Sequence, residues 1–231
     1  MKESIQFGSV RFDFRIEYSA RKTIGITVNP DMDIIVKAPI NAPVDLIKSK
    51  IMHKAPWIVK QLNYFLSFMP KMPLKRFVGG ESHLYMGRQY LLKVITGKSE
   101  MVSYKGRVLE VTTRDKSRVE NLLTGWYNER AKQKFHEIAR PLISKFKKYD
   151  VEPSGLYIQK MSKRWGSCTP GGKIILNTEL IKAPKNCIEY VIIHELCHLV
   201  YYDHTRNFIE LQKREMSDWE KWKNRLDHIQ F

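Results

Sequence analysis

The chain has 231 residues, 43% of them hydrophobic, enough for one large folded domain or two small ones, so a disordered or fibrous chain is excluded. Forty Lys and Arg against 24 Asp and Glu give a net charge of +16, a field that attracts nucleic acid, nucleotides, anionic surfaces or acidic proteins without choosing among them. The first residues lack the apolar stretch of a signal peptide and no window approaches the ~18 uncharged apolar residues of a membrane span, while three cysteines without C-x-x-C spacing do not make a disulfide scaffold; a cytoplasmic protein without a membrane partner is expected.

In chain order, residues 9–18, 24–28 and 33–38 read as a β meander, with Asn29-Pro30-Asp31 as a turn. A helical period follows through Leu46, Ile47, Ile51, Trp57, Ile58 and Leu62, in which Pro56 should break or kink the helix. Residues 69–73 look like a linker. Strand-like runs at 82–86, 88–96 and 108–113 come next, with Gly87, Gly97 and Gly106 near turns. The character changes near residue 116, so a strand-rich part, 1–115, without a motif of its own, and a mainly helical part, 116–231, are expected. The second part opens with apolar residues at helical period from Leu122 to Leu142, kinked or split by Pro141. Residues 155–161 and 173–177 read as two strands around Thr169-Pro170-Gly171-Gly172, a short β hairpin. Ala183-Pro184 then opens a further helix, and Phe208, Leu211, Trp219, Trp222 and Leu226 stripe a last one.

The helix after Pro184 carries His194-Glu195-Leu196-Cys197-His198, an H-E-x-x-H pattern. Residues four apart on a helix lie ~40° apart and one turn above each other, so both imidazoles reach one point. Ile188, Val191, Ile192, Leu196, Leu199 and Val200 make the surroundings apolar. Burying two histidines and a glutamate there without partners is costly, whereas a metal ion satisfies the imidazoles. Zinc held by three protein groups keeps a position open for water and lowers its pKa to about 7, and Glu195, beside the pair, can take the proton. Cys197 reads as a small buried hydrophobe rather than a ligand.

A third ligand is needed. His204 follows His198 by six residues, the offset of the extended H-E-x-x-H-x-x-G-x-x-H pattern, although no glycine stands between. On a continuing helix His204 would lie ~240° round and ~9 Å further along, so the chain must turn after about Tyr201, and Asp203, which tolerates left-handed backbone, could supply that turn. Glu210 and Glu215, one helix later, compete for the role. His204 is favoured because it sits just before a new helix.

Helix, strand pair, metal helix and packing helix is the order of a zincin-type peptidase core. Arg164-Trp165-Gly166-Ser167-Cys168, followed by Ile174-Ile175-Leu176-Asn177 and by His194 to His198 with His204 and Phe208, closely resembles the YgjP-like metallopeptidase family, which is related to the SprT-like proteins. The resemblance spans most of the chain, including Arg21-Lys22-Thr23 and Trp57-Ile58. It departs mildly at Asp203, where Asn is common, and at Thr205, where Ser is common. It implies an α+β fold with a strand-rich N-terminal part and a mainly helical zincin-like metallohydrolase core. It also implies one divalent ion, zinc, on His194, His198 and His204, with Glu195 as catalytic acid/base. A nucleotide activity, pyrophosphate release from UTP, is attributed to one member of the family as well.

Arg164 can meet either a carboxylate or a phosphate through its planar fork. On a peptide it would stabilise the tetrahedral oxyanion while a neighbouring strand, 155–161 or 173–177, pairs with the extended substrate. On a nucleotide, Arg164 and Lys163 would hold phosphates. No P-loop pattern exists in the chain. A zinc-dependent metallopeptidase is therefore the leading expectation, with a nucleoside triphosphate (UTP) pyrophosphatase at the same metal site as one alternative. The other is a nucleic-acid-associated protein with a basic surface and a structural metal.

Overall fold

A computed structural model of the protein describes residues 2–8, 10–29, 31–66, 75–162 and 164–229. Contacts divide the chain into two units, residues 1–72 and 73–231; the linker expected at 69–73 lies outside the described residues.

In the first unit, β1 (Lys2–Phe7), β2 (Val10–Ser19), β3 (Gly25–Val28) and β4 (Ile34–Pro39) form one sheet in the order β1-β2-β4-β3. Phe12, Phe14 and Ile16 of β2 and Ile34, Val36 and Ala38 of β4 alternate onto one face, as period-2 patterning dictates. That face is covered by α1 (Val44–Leu66), whose Ile47, Ile51, Ala55 and Ile58 repeat at helical period and are fully buried. The expected meander is corrected: β2 and β4 pair in parallel, Phe14 opposite Ile34, and β3 returns antiparallel on the outer edge. Helix α1 also runs through Pro56 without a break. Core packing by Ala55 and Ile58 on either side offsets the ~3 kcal/mol that an interior proline costs.

The second unit begins with β5 (Ser82–Tyr85), β6 (Arg88–Thr96), β7 (Met101–Lys105) and β8 (Val108–Thr113), in the order β5-β6-β8-β7 with β6 and β8 parallel. Tyr85, Tyr90, Leu92, Leu109 and Val111 of this sheet share a single core with α2 (Val119–Phe146) and α3 (Lys185–Val200). The turn between β5 and β6 docks on the entry to α3. Met86 N–H and Gly87 N–H donate to the carbonyls of Ile181 and Lys182 at 2.9 and 3.0 Å. A Cβ on Gly87, whose φ is +75°, would stand 2.7 Å from Pro184, and Tyr127 Oη donates to Leu84 O at 2.7 Å. The division expected at 115/116 therefore falls at 72/73: residues 82–113 belong with the helix that carries the H-E-x-x-H pattern.

Helix α2 continues through Pro141. The third sheet has the order β10-β11-β9, from β9 (Gly155–Gln159), β10 (Gly166–Cys168) and β11 (Lys173–Asn177). The two strands expected to form a hairpin, β9 and β11, are instead parallel neighbours, and the hairpin joins β10 to β11 through the Thr169–Gly172 turn. The expected last helix is two, α4 (Arg206–Glu215) and α5 (Trp219–Asp227), because Met216 adopts extended backbone, φ −148° and ψ 94°. The fold is α+β, and among the described residues no helix is long and apolar enough to cross a membrane.

Glu215, at the end of α4, locks that helix to α2. Its side chain is 1% exposed and meets Lys145 Nζ at 2.9 Å, Lys148 Nζ at 2.8 Å and the Tyr149 hydroxyl, which donates at 2.5 Å. Burial alone would raise its pKa, but hydrogen bonds from Lys148, Tyr149 and Lys145 prevail and hold it at about 2. The folded value lies below the ordinary 4.5, so the stabilisation is complete above about 4.5 and is lost as pH falls towards about 2. Urea unfolding of Glu215→Gln should show a loss of about 2 kcal/mol at neutral pH, less than the ~3–5 of a fully buried pair because both lysines are half-exposed. Its stability should also decline less steeply with acid than the wild type's.

Candidate metal centre

Pro184 sets the entry of α3 with φ −57°, and Cys187, Ile188, Val191, Ile192, Ile193, Leu196 and Cys197 bury the helix on nearly every side. Burial pushes the Cys197 thiol up to about 12, as for an inert core side chain. The helix stops at Val200. Tyr201 is extended, φ −131° and ψ 112°, while its N–H still donates to Cys197 O at 2.9 Å. The turn that follows contains no left-handed residue, so Asp203 does not act as expected. Instead Asp203 O accepts the Thr205 N–H at 2.7 Å, and Thr205 Oγ1 caps α4 by accepting from Phe208 N–H at 3.5 Å.

This path returns His204 to the two helical histidines. One ligand atom from each of His194, His198 and His204 lies within 4.8 Å of the others, and Nε2 of His194 faces Nε2 of His204 at 3.1 Å. His194 Nδ1 is held by Gln212 Oε1 at 2.8 Å and His198 Nδ1 by the Tyr202 carbonyl at 2.9 Å. Carbonyl oxygens only accept, so both Nδ1 atoms carry the proton and both Nε2 atoms present lone pairs to the common point. Burial pushes the His194 pKa down to about 4, and burial with neighbouring His204 also lowers that of His198, so both rings are neutral near pH 7. The arrangement fits a metal ion: nitrogen donors bonded at ~2.0–2.1 Å in a tetrahedron lie ~3.3 Å apart, close to the 3.1 Å between His194 Nε2 and His204 Nε2. Buried Phe208 packs against all three rings, with centroids at 5.1, 4.7 and 4.7 Å, and exposed His204 leaves one side open to solvent.

Glu195 is 5% exposed and burial raises its pKa to about 8, against the opposing pull of the Arg164 charge and the Cys168 backbone N–H. Strand β10 lies directly on it. A Cβ on Gly166 would meet Glu195 Oε1 at 2.5 Å and Val191 Cγ1 at 2.8 Å, so only glycine lets the strand approach this closely. Arg164 is exposed and Nη1 donates to Ser167 Oγ at 3.1 Å; Lys163 lies outside the described residues. Asn177, 1% exposed at the end of β11, shapes the segment that precedes β10: its Nδ2 donates to Met161 O at 2.8 Å and Arg164 O at 2.9 Å.

The competing ligand candidates go elsewhere. Glu210 pairs with Arg206 at 2.9 Å on the α4 surface, and Glu215 is committed to Lys145 and Lys148. Sequence reasoning missed Gln212, which is 1% exposed and orients His194. The available signal was a polar residue beside Phe208 and Leu211 on the buried face of α4. Partners that fix a ligating imidazole contribute to metal affinity, so Gln212→Ala is expected to weaken zinc binding about 10- to 100-fold in competition with a chromophoric chelator.

Residues 22–229 match the family model described as YgjP-like, metallopeptidase domain. No curated protein matches the chain.

Proposed function

Because the chain belongs to the YgjP-like family, whose model is a metallopeptidase domain, and is thus a metal-dependent hydrolase in general, we propose that it is a zinc-dependent peptidase with Glu195 as general base. The observation that carries this reading is the convergence of three imidazoles, two with Nδ1 already engaged, beside a buried carboxylate. His194, His198 and His204 hold the ion, and a three-imidazole set with one open side suits catalytic zinc. When bound, the ion supplies Lewis acidity, which acidifies water and polarises a carbonyl, and its charge favours the ionised form of Glu195. Glu195 accepts the proton of the attacking water and returns it to the leaving amine. The Cys168 N–H and the Arg164 charge favour its carboxylate form. Arg164, exposed at the rim, meets the developing oxyanion.

The test is a side-by-side assay of zinc-loaded protein on an unstructured protein substrate and on UTP. Peptide-bond cleavage abolished by a chelator and restored by zinc supports the proposal. Pyrophosphate release from UTP without peptide cleavage would overturn it and make Arg164 a phosphate ligand. Steeply salt-dependent DNA binding with neither hydrolysis would favour a structural metal in a nucleic-acid-associated protein.

A further inference from the structure

The first unit carries a site unrelated to the histidine cluster. A groove of about 640 Å³ opens between β3 and α1, floored by Ile24, Ile26, Leu46 and Trp57. Among the described residues its charged lining consists of Lys22, Lys50 and Lys54. Leu46, Lys50, Lys54 and Trp57 follow one another at helical spacing, so they form one stripe of α1. Leu46 is 49% and Trp57 41% exposed. Among the described residues β3 pairs with β4 alone, which leaves its outer edge with unpaired backbone groups.

These features belong together. A strand added to the β3 edge would continue the sheet, and alternate side chains would fall on the same face as Ile24 and Ile26, into the apolar groove. Lys22, Lys50 and Lys54 line the same groove, so they favour carboxylates among those groove-facing side chains, flanking the apolar ones. A single-stranded nucleic acid would use the same cations, but it stacks on successive aromatic rings, and here one Trp stands among aliphatic side chains.

We propose that the groove between β3 and α1 binds an extended polypeptide segment, by strand addition to β3, whose alternate, groove-facing side chains are apolar in the middle and acidic at the ends. This site lies within residues 1–72 and does not depend on the reading of the metal centre.

The probe is a dye-labelled peptide in which every second residue is Leu, or Glu at both ends of the Leu run, with Thr between, titrated against the full chain by fluorescence anisotropy, with its integrity checked by mass spectrometry. Two controls keep the charge: one replaces Leu with Ser, the other N-methylates alternate backbone amides. Saturable binding is expected, weakened about tenfold or more in each control and in Lys50→Glu/Lys54→Glu. Both lysines are exposed, so the double variant should keep the wild-type circular dichroism. Absence of binding, equal affinity for the Ser control or the double variant, or displacement of the peptide by an oligothymidylate of equal charge at lower concentration would each overturn the proposal.

Discussion

Glu195→Gln is expected to lower kcat for peptide hydrolysis by about 10²- to 10⁴-fold with the zinc content unchanged, the range a positioned general base contributes. Glutamine has nearly the same shape and fits the space that Gly166 leaves, but its amide cannot take a proton from water at neutral pH. The histidines keep their own partners, Gln212 and the Tyr202 carbonyl, so the ligand set does not rely on the carboxylate. Fold stability gives a second readout. Burial raises the Glu195 pKa to about 8, which means the folded metal-free protein bears a cost for a charged group at this position. The neutral amide removes that cost, and the metal-free variant should melt at an equal or higher temperature than the wild type. Lost activity together with a lower melting temperature and lost zinc would instead indicate a structural role.

Gly166→Ala is expected to produce a similar failure from the opposite side of the site. The added methyl would lie 2.5 Å from Glu195 Oε1, 2.9 Å from Glu195 Cγ and 2.8 Å from Val191 Cγ1, all on α3. Contacts this short cannot stand, and both the buried helix and the β10–β11 pairing resist movement, so the carboxylate is displaced by roughly 1 Å. A misplacement of that size costs on the order of 10²-fold in rate. Overpacking should also cost about 1–3 kcal/mol of stability. Zinc stoichiometry separates the two effects: a folded, zinc-replete Gly166→Ala with full activity on peptides would show that Glu195 is not held by β10.

The legible part of the protein was the part written locally. His194, Glu195 and His198 share one helix, and their spacing alone states what they can reach. His204 required one inference about the chain path, a turn after Tyr201, which the structure contains, though with extended rather than left-handed backbone. Pairings between distant segments left no local trace: the parallel β2–β4 and β9–β11 ladders look the same in sequence as antiparallel ones. The division at 72/73 was hidden for the same reason. Residues 82–113 alternate like any sheet, and it is the docking of Met86 and Gly87 on Ile181 and Lys182, with the core shared with α2 and α3, that assigns them to the helix carrying the H-E-x-x-H pattern. The Arg164 to Cys168 segment stood out as a motif, yet its use became physical only once Gly166 was seen against Glu195 and Asn177 against Arg164.

The most direct test of the central claim is the zinc content of the purified full chain after equilibrium dialysis against zinc, for wild type and for His194→Ala/His198→Ala/His204→Ala. The account predicts one zinc per wild-type chain and none in the folded triple variant. A wild type that binds no zinc, or a triple variant that retains a full equivalent, would contradict it.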